Sequence, residues 1–361
     1  MSRMLCGLVA IVFTSLAAAE QPAYYFPPTN GESGNEWETI APAKAGWDET
    51  KLQTALNFAG ENRSSGVVIL HRGRILAEQY WEVGGPMANA YRERVLVGQD
   101  GAGRAIEDVA SAQKSVVAIL VGMAQQRGLL QLNEPVDKYL GQGWSAATPE
   151  QERAITIRHL ITMTSGLNEE REYEAPPGAK WSYNTTVYAQ TMLVLEKATK
   201  QDRNALTKQW LTGPRGMADS RWVRRRAANV QAVNAYGFAT TARDLARFGL
   251  FALAEGSWQG KPVLDDRDFL RQATTTSQSL NPFYGYLWWV NRDAKQPQRR
   301  RTSTAPADMF SANGALNRRC FVVPSLELVV TRLGVQPAGN RAFDQRLWEL
   351  LMAAAPNTDA K

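Results

Sequence analysis

The run Ser111-Ala112-Gln113-Lys114-Ser115 opens a segment, Val116 to Met123, that contains only small or apolar side chains, and such a segment is expected to fold as a helix buried on all sides. Residues three apart on a helix share a face, so the Ser111 hydroxyl and the Lys114 amine are placed to touch. A serine hydroxyl becomes a nucleophile only when a neighbour takes its proton. A lysine can do that only if burial or a nearby cation lowers its pKa from about 10.4. The apolar helix supplies the burial, and its N-terminus offers backbone N–H groups and the positive end of the dipole to an oxyanion. S-x-x-K is short enough to arise by chance, with a solvated lysine as the plain alternative, so the rest of the chain has to agree.

The N-terminus has the form of a secretory leader: Arg3, an apolar stretch from Leu5 to Leu16 too short to span a bilayer, and Ala17-Ala18-Ala19. Residues 1–19 are expected to be cleaved and the product to be exported, periplasmic or secreted. Cys6 has no lipobox context, and no later segment has the apolar length of a membrane span. Without the leader, Cys320 is the sole cysteine, which excludes an intramolecular disulfide. Stability must then come from a core, for which 361 residues with 44% hydrophobic content suffice. The formal charge of +6 owes much to Arg221 with Arg224-Arg225-Arg226 and to Arg299-Arg300-Arg301. Such runs read first as solvated surface and second as attraction to an anionic envelope. A nucleic-acid partner is not expected, because no basic-aromatic motif is present.

Residues 20–42, rich in Pro, Asn, Gly and Ser, are expected to form an irregular extension, and 43–361 one domain. Gly46-Trp47-Asp48-Glu49 reads as a helix entry ahead of Leu52, Leu56 and Phe58. Gly66 to His71 and Ile75 to Trp81, around Arg72-Gly73-Arg74, read as an antiparallel hairpin. Gly84 to Ile106 reads as a loop leading to Ser111. Helical periodicity marks Val187 to Lys200 and Thr241 to Glu255. Tyr284 to Val290, Arg319 to Pro324 and Leu326 to Leu333 are rich in β-branched and aromatic residues, as strands are, and Ala342 to Ala355 has an amphipathic helical pattern. The expected fold is α/β (α+β): an antiparallel sheet built from both chain ends (about 43–110 and 281–361), flanked by helices, with a mostly helical lobe (about 111–280) inserted.

Residue supply narrows the chemistry. Only two histidines, His71 and His159, are present and no G-x-S-x-G, so a Ser-His-Asp hydrolase is excluded and both histidines read as structural. One mature cysteine and two distant histidines give no metal-ligand spacing. Gly98, Gly101 and Gly103 do not form a dinucleotide fingerprint. No metal or other cofactor is expected.

Six stretches occur in a fixed order: S-A-Q-K-S at Ser111, I-T-I-R-H-L-I-T-M-T-S-G-L from Ile155, P-G-A-K-W-S-Y-N-T from Pro177, T-T-A-R-D-L-A-R-F-G from Thr240, Y-G-Y-L-W-W from Tyr284 and F-V-V-P-S-L-E-L-V-V from Phe321. In these the chain resembles the serine β-lactamase and penicillin-binding-protein superfamily, most of all class C β-lactamases and their esterase and 6-aminohexanoate-dimer hydrolase relatives. The resemblance runs from about Trp47 to Leu351. It implies that Ser111 is the acylated nucleophile, Lys114 its proton acceptor, and Tyr183 the tyrosine of a Y-x-N motif that shuttles the proton. A phenol beside an ammonium is also biased towards ionisation.

Two departures stand out. The position of the motif asparagine holds Thr185, with Asn184 one place early. Where the third motif has a basic residue, spacing from Phe321 gives Ala315-Leu316-Asn317, which cannot hold a lactam carboxylate. Arg318 or Arg319 is the candidate substitute, and strand alternation sends only one of them into the cleft. The expected oxyanion hole joins the N–H of Ser111 to one from Asn317 to Arg319. Trp181, Thr185, Tyr284, Trp288 and Trp289 are the candidate pocket residues. The implied activity is acyl-enzyme hydrolysis of a small ester or linear amide. The alternatives are a β-lactamase or D,D-peptidase acting on penicillins or peptidoglycan peptides, and a binding module that keeps the hydrolase fold.

Overall fold

The computed structural model of the protein describes residues 24–29, 36–226, 234–337 and 342–356. The expected leader lies outside them, as does part of the 20–42 extension.

Six antiparallel strands form the main sheet: β1 (Ser64–His71), β2 (Arg74–Tyr80), β3 (Trp289–Val290), β4 (Phe310–Gly314), β5 (Arg318–Val323) and β6 (Leu328–Gly334). Their spatial order is β2-β1-β6-β5-β4-β3, so strands from both ends of the chain meet where β1 pairs with β6. The β1–β2 hairpin turns through Arg72 and Gly73, with φ of 52° and 82°. Two successive left-handed residues match the right-handed twist of a hairpin, and glycine takes such a φ without strain.

Side chains alternate across the sheet. Val67, Ile69, Phe321, Val323, Leu328 and Val330 face helices α1 (Glu49–Glu61) and α5 (Phe343–Ala354), where Leu52, Leu56, Leu347, Trp348 and Leu351 close one core. Asp48 caps α1 by accepting the Lys51 N–H at 3.0 Å. The intervening residues, such as Val68, Leu70, Cys320, Val322 and Val329, face the second and larger core. Helices α2 (Gln113–Gln126), α3 (Thr185–Thr199) and α4 (Ala242–Leu253) contribute to it. Every residue of α2 from Gln113 to Ala124 is buried. That is the consequence of an apolar run without a polar stripe.

Three expectations need correction. The stretch from Gly84 to Ile106 is not a plain loop: it holds a short helix, Ala88–Arg94, and strands Leu96–Gln99 and Ala105–Asp108. These strands join Tyr236–Thr240 and Arg221–Arg224 in a second, four-stranded sheet, so the inserted region is less purely helical than its periodicity suggests. From Tyr284 to Val290 only Trp289–Val290 is strand. Leu287 adopts φ 59°, and the Gly285 N–H bonds the Trp288 carbonyl at 2.9 Å, which bends the chain. Burial of consecutive aromatic side chains overrode their strand propensity there.

Both histidines have structural settings. His159 Nδ1 accepts the Thr156 N–H at 3.1 Å and so completes a helix cap, and His71 ends β1 with its basicity lowered by burial.

Candidate active site

The second sheet delivers the chain to the centre of the site. Strand Ala105–Asp108 ends at Asp108, Val109 and Ala110 turn sharply, and Ser111 leads into α2. Ala110 has φ 49°, a left-handed conformation that costs a residue with a Cβ about 1–2 kcal/mol. Asp108 holds it there, its Oδ1 accepting the Ala110 N–H at 2.8 Å. Strand β4 closes on the same turn. A Cβ on Gly314 would come within 2.1 Å of the Val109 carbonyl oxygen, so only glycine allows this approach.

Within that turn the Lys114 Nζ lies 3.0 Å from Ser111 Oγ and 3.3 Å from Thr185 Oγ1. Lys114 is only 2% exposed. Its amine sits 4.5 Å from the Tyr188 ring centroid and 4.9 Å from that of Tyr183. Burial lowers its pKa to about 7; the charge of Arg225 adds to the effect and Glu169 opposes it. Thr185 therefore stands in contact with the lysine at the position where an asparagine was expected. Asn184 is occupied elsewhere, capping α3 through the Val187 N–H at 2.9 Å and donating to the carbonyls of Leu167 and Asn168.

Ser111 acts on the Tyr183 phenol and Lys114 lies against the Tyr183 ring, so the three residues named from the sequence sit together. The expected bias of its phenol towards ionisation does not hold. Burial raises its pKa, and the contact with Ser111 and the charge of Arg301 only partly offset that. Burial thus favours the protonated phenol at Tyr183 and the neutral amine at Lys114.

The aromatic residues divide. Trp181, Tyr183, Tyr284 and Trp289 form one cluster, with Tyr183 stacked on Trp289 at 5.8 Å between centroids and Tyr284 edge-on to Trp289 at 4.9 Å. Trp288 does not join it. Fully buried, it stacks on Phe248 at 5.5 Å and meets Phe310 edge-on, so it belongs to the core and its neighbour Trp289 faces the site. The guanidinium of Arg301 lies 4.4 Å from the Trp289 ring centroid.

The third-motif placement also changes. Ala315–Asn317 is a tight turn, with Leu316 and Asn317 at φ 60° and 57°, and the strand against the nucleophile is β4, which ends in Asn313-Gly314. Asn317 and Arg319 direct their side chains to Asp344, at 3.3 and 3.0 Å. Of the three residues only Arg318 lines the cleft, where it donates to the Asp108 carbonyl at 2.7 Å and pairs with buried Glu107 at 3.4 Å. The cleft has a volume of about 750 Å³. Ser111, Lys114 and Thr185 lie in it, with Glu169 and Glu170 on one wall and Ala315 and Leu316 on another. Arg225 and Arg301 were missed in the sequence because each stands inside an arginine run that reads as solvated surface.

The sequence model of the Beta-lactamase family matches residues 51–354, most of the chain. The chain belongs to the beta-lactamase family. A curated but uncharacterised protein of Alkalihalophilus pseudofirmus is 26% identical over 299 residues, which is 74% of this chain and 82% of that protein. A Bacteroides dorei protein assigned as a beta-lactamase superposes with a TM-score of 0.66 at 15% identity, covering 86% of this chain and 100% of its own. A Bacillus anthracis protein assigned as a 6-aminohexanoate-dimer hydrolase gives 0.61 at 15% identity, covering 90% of this chain and 88% of its own. At such identities the superpositions speak for the shared fold. Members of the beta-lactamase family are serine hydrolases, and Ser111 occupies the only S-x-x-K turn that lies in the cleft among the described residues.

Proposed function

We propose that the protein is an exported hydrolase that forms an acyl-enzyme at Ser111 and acts on small esters or linear amides. The observation that carries this reading is the 3.0 Å contact between Ser111 Oγ and a buried lysine whose pKa is about 7. Neutral Lys114 takes the Ser111 proton as Oγ attacks the substrate carbonyl carbon. The oxyanion is held by the Ser111 N–H together with that of Ala315, which follows Gly314 in the cleft wall; one such donor is worth on the order of 10²–10³ in rate. Tyr183 passes its proton to the leaving alcohol or amine as the bond to the carbonyl carbon breaks, and the Lys114 ammonium reprotonates Tyr183, which returns the lysine to its neutral form. Water then attacks the acyl carbon as neutral Lys114 accepts its proton, and that proton returns to Ser111 Oγ as the acyl–Oγ bond breaks and the acid is released.

A linear substrate is favoured over a lactam because neither Asn313-Gly314 at the end of β4 nor the Ala315–Asn317 turn after it offers a cation, and because Arg318 is already engaged by Glu107 and the Asp108 carbonyl. Likeness to a protein assigned as a 6-aminohexanoate-dimer hydrolase is in keeping with a linear amide. Intact-mass analysis after fluorophosphonate treatment is expected to show one adduct on the wild-type protein and none on Ser111→Ala. An unlabelled wild type would support the binding module instead. Nitrocefin turnover matching the best ester turnover would return the reading to a β-lactamase.

The pH dependence follows from the lysine. Because its folded pKa is depressed, the reactive neutral form accumulates as pH rises, so kcat/KM for p-nitrophenyl butyrate is expected to climb through an acid limb near 7. A limb near 10 would mean that Lys114 titrates as an ordinary solvated lysine, and the absence of any acid limb between about pH 5 and 10 would exclude it as the base.

A further inference from the structure

Arg225 stands in a run of basic residues, yet it is 11% exposed, as is the carboxylate it grips. Its Nε lies 2.7 Å from Asp108 Oδ2 and its Nη2 3.1 Å from Oδ1, a two-point fork. Nη1 donates to the Asn234 carbonyl at 3.0 Å, and Nη2 reaches Gln113 Oε1 at 3.4 Å. That same Gln113 oxygen accepts the Phe238 N–H at 3.0 Å, tying the first turn of α2 to the second sheet. The gripped carboxylate is the one that holds Ala110 in its left-handed conformation, one residue before the nucleophile. A backbone strained in this way persists only where its surroundings over-determine it. Here Arg225 fixes the Asp108 side chain and Arg318 its carbonyl.

The groups that face Lys114 are few. Ser111 lies on its own turn, Thr185 and Tyr188 come from α3, and Tyr183 precedes that helix. The fixed charges that act on it are Arg225, itself paired with Asp108, and Glu169 on the cleft wall. They act in opposite directions.

We propose that Arg225 is a positioning residue for the acyl transfer: its fork holds Asp108, and through it the strained turn that presents Ser111. Its charge also weighs against the ammonium form of Lys114. The inference rests on the Ser-Lys-Tyr reading given above. It makes one member of an arginine run part of the catalytic support, although it touches no reacting atom.

The test is the pH profile of p-nitrophenyl butyrate hydrolysis by the wild type, Arg225→Gln, Arg225→Lys and Glu169→Gln, with thermal melts alongside. In Arg225→Gln the acid limb is expected to move up by about one pH unit, the low end for a neighbouring charge, and the plateau kcat to fall by about tenfold as the turn loosens. Arg225→Lys keeps the charge but cannot fork both carboxylate oxygens, so its limb should stay in place while the plateau still falls. Glu169→Gln should move the limb down. An unmoved limb in Arg225→Gln overturns the electrostatic part, and an undiminished plateau in Arg225→Lys overturns the positioning part. If the glutamine variant does not fold, the lysine variant decides by the same two criteria: limb retained and plateau lowered supports the proposal, and either result reversed overturns it. Failure of the underlying Ser-Lys-Tyr reading registers separately, as esterase activity that survives in Ser111→Ala.

Discussion

Lys114→Met is expected to lower kcat for p-nitrophenyl butyrate on the order of 10³-fold or more while leaving the melting temperature unchanged or raised. The activity falls because nothing else within reach among the described residues can take the Ser111 proton. Thr185 offers a hydroxyl and Tyr183 a phenol that burial keeps protonated. The stability does not fall because the native lysine is a buried amine with two hydroxyl contacts, two aromatic faces and no ion pair among the described residues. A buried cation without a paired carboxylate carries a desolvation cost, and an apolar side chain of similar length removes it. The two readouts together separate a catalytic lysine from a structural one. Activity within tenfold of wild type would remove Lys114 from the mechanism. A melting temperature lowered by several degrees would show instead that the lysine holds the fold.

Gly314→Ala is expected to lower kcat by about a hundredfold or more, the scale on which misplacement by about 1 Å acts, and to lower the melting temperature as well. The conformation of Gly314, φ −107° and ψ 161°, suits alanine, so the obstacle is space alone. The added methyl would lie 2.1 Å from the Val109 carbonyl oxygen and 3.4 Å from the Ala112 nitrogen, both backbone atoms of the nucleophile turn. Neither can swing aside as a side chain can. Strand β4 must retreat, and the Ala315 N–H retreats with it from the position proposed for the oxyanion. Gly98→Ala is the control, since a Cβ there meets nothing within 4 Å. Kinetics and melts on both variants check the prediction, and a Gly314→Ala enzyme as active as Gly98→Ala would place the oxyanion hole elsewhere.

Much of the fold was legible because it rests on local pattern. The hairpin turn at Arg72-Gly73, the capped helix after Asp48, the amphipathic helix Phe343–Ala354 and the wholly buried α2 each follow from residue spacing and from turn or cap chemistry. The strands before Ser111 were not legible, because they are short and rest on a distant segment: Ala105–Asp108 pairs with Tyr236–Thr240, which pairs in turn with Arg221–Arg224. The aromatic run at Tyr284 misled for the opposite reason. Its composition favours a strand, but Trp288 gains more by stacking on Phe248 in the core than by extending β3.

What the sequence determined by itself was the pairing of Ser111 with Lys114: a serine and a lysine three residues apart at the head of an apolar helix must be neighbours, since helical geometry leaves them no other arrangement. Only the tertiary structure decided which of the remaining residues surround that pair. Thr185 rather than Asn184 meets the lysine, Trp289 rather than Trp288 faces the site, and one arginine of a charged run grips Asp108. Each of these turns on which way a side chain points after distant strands have paired, and in a strand a shift of one position reverses the face.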